Sequence, residues 1–74
     1  MRYNFNEFIK SNDIKGLCIN LLYLYKYNRI DRSIISDHLQ LFNEINGTTY
    51  KIETLQENKL KIIDNNNNFV EMEL

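Results

Sequence analysis

The chain has 74 residues, a net charge of −1 and neither proline nor tryptophan, which leaves room for one small domain around one core. Nine lysines and arginines against ten aspartates and glutamates exclude the strong basic surplus with which nucleic-acid binders usually hold phosphate. A hydrophobic content of 43% excludes a disordered chain, and the longest apolar run, the five residues Leu21 to Tyr25, falls far short of the roughly 18 needed to span a membrane.

The segment Met1, Arg2, Tyr3 and Asn4 is too polar for a signal peptide, and the lone Cys18 permits no internal disulfide. Both features predict a soluble, cytoplasmic protein in a reducing compartment. The chain has no alanine but twelve asparagines and ten isoleucines. That bias follows A+T-rich codons and points to a phage or other mobile element as the source.

In chain order, residues 1–12 read as a short lead-in helix. Asn4 is its expected cap, paired with Glu7 three residues on, and Phe5, Phe8 and Ile9 share one face. Ser11, Asn12 and Asp13 stop it and cap the next. Residues 13–28 form the strongest predicted helix, with Ile14, Leu17, Cys18, Leu21, Leu24 and Tyr25 at three- and four-residue spacing. Gly16 weakens it only slightly near its start. Asn28 and Arg29 close it, and Asp31 caps a third helix over about 32–43, whose face is Ile34, Ile35, Leu39 and Phe42. Asn46 and Gly47, both tolerant of positive φ, end the helical pattern.

Residues 48–58 fit two readings equally well. As a strand, Tyr50, Ile52 and Thr54 alternate inward. As a helix, Ile52 and Leu55 face the core, with Thr48 one turn before. The C-terminal hairpin is better determined. A turn at 65–67 sets Ile62 against Val70 and Leu60 against Met72 on one face. On the other it sets Lys61 against Glu71, Lys59 against Glu73 and Ile63 against Phe69. Every pair then matches apolar with apolar or opposite charges, and a one-residue slip loses all of this.

Nothing in the chain has the pattern of a catalytic or metal site. His38 has no second histidine or cysteine at ligand spacing, and Cys18 sits on the apolar stripe with no base beside it in sequence. There is no glycine-rich phosphate loop or triad-like set. We therefore expect no enzyme, no cofactor and no metal. Tyr25 points away from Tyr23 and Tyr27 on a helix, so the three tyrosines cannot form one base-stacking platform.

From Leu17 onward the chain resembles a winged helix-turn-helix domain of the MarR or ArsR general type. Leu21 to Ile30 is similar to that fold's first helix running into its short extended residue. Asp31 to Leu39 is similar to the second helix, with Ile35, Ser36 and Leu39 in its apolar, small and leucine positions. Tyr50 to Ile62 is similar to the recognition helix passing into the first wing strand, and Asn65–Asn68 falls where the wing tip belongs. The resemblance turns 48–58 towards helix. It implies an α+β fold of three or four helices followed by a two-stranded wing, with 1–12 as lead-in, 13–58 helical and 59–74 as the wing of a single domain.

By the same resemblance the chain is expected to be a small, dimeric transcriptional regulator of duplex DNA. Thr48, Thr49, Tyr50, Lys51 and Thr54 would face the groove, Arg29 and Arg32 would meet phosphates, and Asn66 and Asn67 would form the wing tip. Phe5, Phe8, Ile9, Tyr23 and Tyr27 are the expected homodimer interface. The rival is a protein-binding inhibitor that occludes a partner, using its acidic end (Glu71, Glu73) and the edge of its last strand. The two part at 48–58. A third strand there would put Glu53 across from Lys61 and remove the main support for DNA binding.

Overall fold

The computed structural model describes residues 4–74, so the first three residues of the lead-in segment lie outside the described residues. Three helices, α1 (Asn6–Lys10), α2 (Ile14–Lys26) and α3 (Arg32–Asn46), precede three strands, β1 (Lys51–Gln56), β2 (Lys59–Ile63) and β3 (Phe69–Glu73). Asp13 and Asp31 begin the two long helices by accepting the backbone N–H of Gly16 at 2.9 Å and of Ile34 at 3.2 Å, which satisfies donors the helix itself leaves unpaired. The expected cap of α1 differs. Asn4 accepts from Asn6 N–H, but Phe5 occupies the capping position, and the pairing with Glu7 does not form.

Asparagine ends the first two helices. Asn12 and Asn28 take left-handed conformations, with φ of 58° and 59°. Beyond them Asp13 N–H returns to Phe8 O at 2.8 Å and Arg29 N–H to Leu24 O at 2.9 Å, so each end closes as a Schellman motif. Gly47, at φ 67°, ends α3. That helix therefore runs three residues beyond the 43 expected, until a residue tolerant of positive φ stops it.

Residues 51–56 are a strand, which corrects the reading of 48–58 as a recognition helix and the two-stranded wing with it. The sheet is antiparallel with order β1-β2-β3, and the fold is α+β. Two non-local features decide the matter. The Asn43 side chain holds Tyr50 like a neighbouring strand, accepting its N–H at 2.9 Å and donating to its C=O at 2.8 Å. In addition, Ile52 pairs with Ile62 and Leu55 with Leu60, so β1 joins the apolar face already set by the hairpin. A bulge between Ile52 and Thr54 shifts the alternation by one residue. Leu55, not Thr54, therefore shares the inward face of Ile52, and Lys61 meets Thr54 instead of Glu53.

The β2–β3 register is the predicted one at all five pairs, from Lys59 with Glu73 to Ile63 with Phe69. Across the inner sheet face, α2 packs on β2 and β3 while α3 packs on β1. The core gathers Ile9, Leu17, Cys18, Leu21, Leu22, Ile35, Leu39, Phe42, Leu60, Ile62 and Met72. Among the described residues, no helix covers the outer face of the sheet.

Candidate functional site

The residues expected to bind DNA are distributed to two ends of the molecule. Thr49 accepts the backbone N–H of Asn65 at 2.9 Å, which joins the start of β1 to the β2–β3 turn that contains Asn66 and Asn67. Lys51 is exposed beside them, and Thr48 donates to Asn43 at 2.8 Å. Tyr50 is half-buried, its ring 6.1 Å from that of Phe42. Arg29 and Arg32 sit instead at the α2–α3 junction. Open depressions there are lined by Asn28, Arg29, Ile30, Asp31 and Ile34, and by Asp31, Arg32, Ser33, Ser36 and Asp37. Glu57, in the β1–β2 turn, shares another depression with Tyr25, Lys26 and Asp31. That places the junction at the far end of β1 from Lys51, a strand length of roughly 17 Å away. Thr54 lies between, on the outer face.

The expected dimer residues also separate. Ile9 is only 2% exposed and belongs to the core. Phe5 and Phe8 pack against that core, and the Phe5 ring meets His38 edge-on at 5.2 Å. Tyr23 and Tyr27 remain on the surface at 56% and 54% exposure, their rings 4.9 Å apart. Tyr25 turns to the core side.

Titratable groups show no catalytic arrangement among the described residues. His38 Nδ1 lies 2.8 Å from Ile34 O, one turn back in α3, and no group of three His, Cys, Asp or Glu is placed to hold a metal ion among those residues. Burial pushes the Cys18 thiol up to about 12, so it is neutral and a poor nucleophile. The Ser33 hydroxyl, followed by Ile34 N–H, holds the Asp31 carboxyl below the ordinary range. The backbone N–H of Asn68 does the same for Asp64. Both carboxylates are used in turns and caps. No helix among the described residues is long and apolar enough to cross a membrane.

The outer sheet face concentrates the remaining chemistry. The residues there are Lys59, Lys61 and Ile63 from β2, Phe69, Glu71 and Glu73 from β3, and Lys51, Thr54 and Gln56 from β1. Lys59 Nζ pairs with Glu71 at 3.4 Å, and Lys61 Nζ stands 4.4 Å over the Phe69 ring. The charges were legible in the hairpin. Their sharing one face was legible too, but the exposure of that face was not, because it depends on where β1 and the helices pack. Comparison of the chain with protein-family models, curated proteins and solved structures found no match.

Proposed function

We propose that this chain is a non-enzymatic protein-binding module that works by covering the surface of a partner. Its contact region is the outer sheet face together with the β3 edge. The observation that carries this reading is the sheet itself: one face packs on the helices, while the other presents an ordered set of charged and aromatic side chains with no layer over it among the described residues. Such a mixture of an exposed ring and paired charges on a rigid scaffold suits recognition of another protein.

Regulation of duplex DNA has weaker support. The element meant to enter the groove is an edge strand, and its Lys51 lies a strand length away from Arg29 and Arg32, the residues expected to meet phosphate. Were the helix before the sheet to read DNA instead, the exposed side of α3 would offer Arg32 against Asp37 and Glu44, which repels a duplex.

The test is a titration with mixed duplex DNA at about 50 and 200 mM salt, run beside affinity capture on the wild type and on F69A/E71K. The expected result is no salt-steep DNA binding, with a stoichiometric protein retained by the wild type and lost from the variant. Micromolar DNA binding that collapses with salt, and is abolished by replacing Lys51 and Arg32, would return the chain to the regulators.

A further inference from the structure

We propose that the β3 edge takes an extended basic segment of the partner as a fourth strand, with alternate lysine or arginine side chains lying over Glu71 and Glu73. This rests on the protein-binding reading and specifies the chemistry of the partner.

The hydrogen-bond phase of the hairpin sets the geometry. Leu74 N–H donates to Asn58 O at 2.8 Å and Asp64 N–H to Asn68 O at 3.1 Å. These are the two ends of one antiparallel ladder, in which bonded pairs recur at every second residue. Val70 and Met72 therefore bond to β2, and the N–H and C=O groups of Phe69, Glu71 and Glu73 point outward from the sheet. Among the described residues, no hydrogen bond outside the ladder reaches those groups. The opposite edge differs. The bulge in β1 interrupts its row of outward groups, and Asn43 holds its start, both of which disfavour pairing there.

Charge specifies the occupant. On the outer face the sign alternates strand by strand, with Lys59 and Lys61 on β2 and then Glu71 and Glu73 on β3. Residues directly opposite Glu71 and Glu73 on an added strand share their face, so the sequence of signs continues with a basic strand. The intervening residues fall on the inner face beside Val70 and Met72, where α2 packs, and apolar side chains fit there. The partner segment therefore alternates basic and apolar. A second copy of this chain fits less well. Antiparallel pairing of two β3 strands places Glu71 against Glu71 when centred on that residue and Glu71 against Glu73 when centred on Met72, while registers centred on Val70 or Phe69 bring no basic residue opposite Glu71.

The test is a titration of the full chain with a short synthetic peptide that alternates lysine with valine and threonine, read by backbone amide spectra and hydrogen exchange. Two controls accompany it. One carries glutamate at every lysine; the other keeps the lysines but is N-methylated at alternate backbone amides, so its charge is retained and its ladder blocked. We expect saturable binding of the lysine peptide, new exchange protection at the amides of Phe69, Glu71 and Glu73, and a loss of about tenfold or more with either control. The double variant E71K/E73K, with an unchanged circular dichroism spectrum, should prefer the glutamate peptide. Equal binding of the N-methylated and parent peptides, or no protection at those three amides, overturns the inference. If that happens while capture still depends on Phe69 and Glu71, the edge proposal alone falls. Salt-steep DNA binding instead removes the protein-binding reading beneath it.

Discussion

Lys61 faces Glu71 across the β2–β3 ladder, yet its ammonium stands 4.4 Å over the ring of Phe69, two residues earlier in β3 and the next on the same face. Glu71 is engaged by Lys59, the diagonal neighbour on the other side. Both interactions thus slant the same way, as the right-handed twist of paired strands brings diagonal side chains together.

The Lys61–Phe69 pair makes a measurable contribution. Phe69→Leu should destabilise the chain by about 0.5 kcal/mol and Phe69→Ala by about 1 kcal/mol, since the first loses the ring face and the second also loses apolar cover for its neighbours. A double-mutant cycle of Lys61→Met with Phe69→Leu in urea denaturation should return a coupling near 0.5 kcal/mol. A coupling of zero would show that the two side chains only share a surface.

Asn43 should matter more than any exposed pair. Its side chain makes bonds to Tyr50 N–H, Tyr50 C=O and the Thr48 hydroxyl, and all three are partly buried. Asn43→Ala leaves those groups without partners and should cost about 2–3 kcal/mol. Native-state hydrogen exchange should then show β1 amides opening before those of β2 and β3. Asn43→Asp keeps an acceptor for Tyr50 N–H but sets a carboxylate against Tyr50 C=O, so it should fall between the wild type and the alanine variant.

Gly16 provides a test of sign. Helix propensity alone predicts that Gly16→Ala stabilises by about 1 kcal/mol. A Cβ at this position, however, would meet the Asp13 carboxylate, and it would lie 2.7 Å from the Phe8 ring. Because Asp13 is the cap of α2, moving it aside gives up the bond to Gly16 N–H. We expect a net loss of about 1–2 kcal/mol in thermal or chemical denaturation.

Stability should fall at both ends of the pH scale for separate reasons. The folded-state pKa values of Asp31 and Asp64 are depressed. Their stabilisation is present above the unfolded-state value of about 3.9 and is lost as pH falls through the lower folded-state values. Cys18 acts in the opposite sense. Raised from 9.0 to about 12, its thiol favours the folded chain fully below pH 9.0, and that contribution is lost as pH climbs towards 12. Urea midpoints measured across pH should show Asp64→Asn flattening the acid limb and Cys18→Val flattening the alkaline one.

Local sequence made the hairpin legible because each of its cross-strand pairs matches in only one register. Asp13 and Asp31 were equally plain, since a cap acts within three residues. Residues 48–58 were not legible. Their local preferences balance, and the decision comes from Asn43, seven residues upstream, and from a free edge of β2 that no local window contains. Once that stretch was read as a helix, Thr48, Lys51 and Thr54 fell on one imagined surface with Arg29 and Arg32. As a strand it carries them away from the arginines. The full crowding at Gly16 was not legible either, because the Phe8 ring that adds to the Asp13 contact belongs to another helix. The glutamates at the candidate edge were visible from the start, whereas the bulge that sets the two edges apart was not.

The bulge at Glu53 also governs valency. A sheet with two open edges can add strands on both sides, and identical units can then propagate into a filament. Here one margin is interrupted and the other is regular, so strand addition is disfavoured on the β1 side. Were β3 covered as proposed, the assembly would be complete at one-to-one stoichiometry. Under that proposal the irregularity in β1 would make the unit a terminator of sheet growth, engaging one strand without becoming a template for the next.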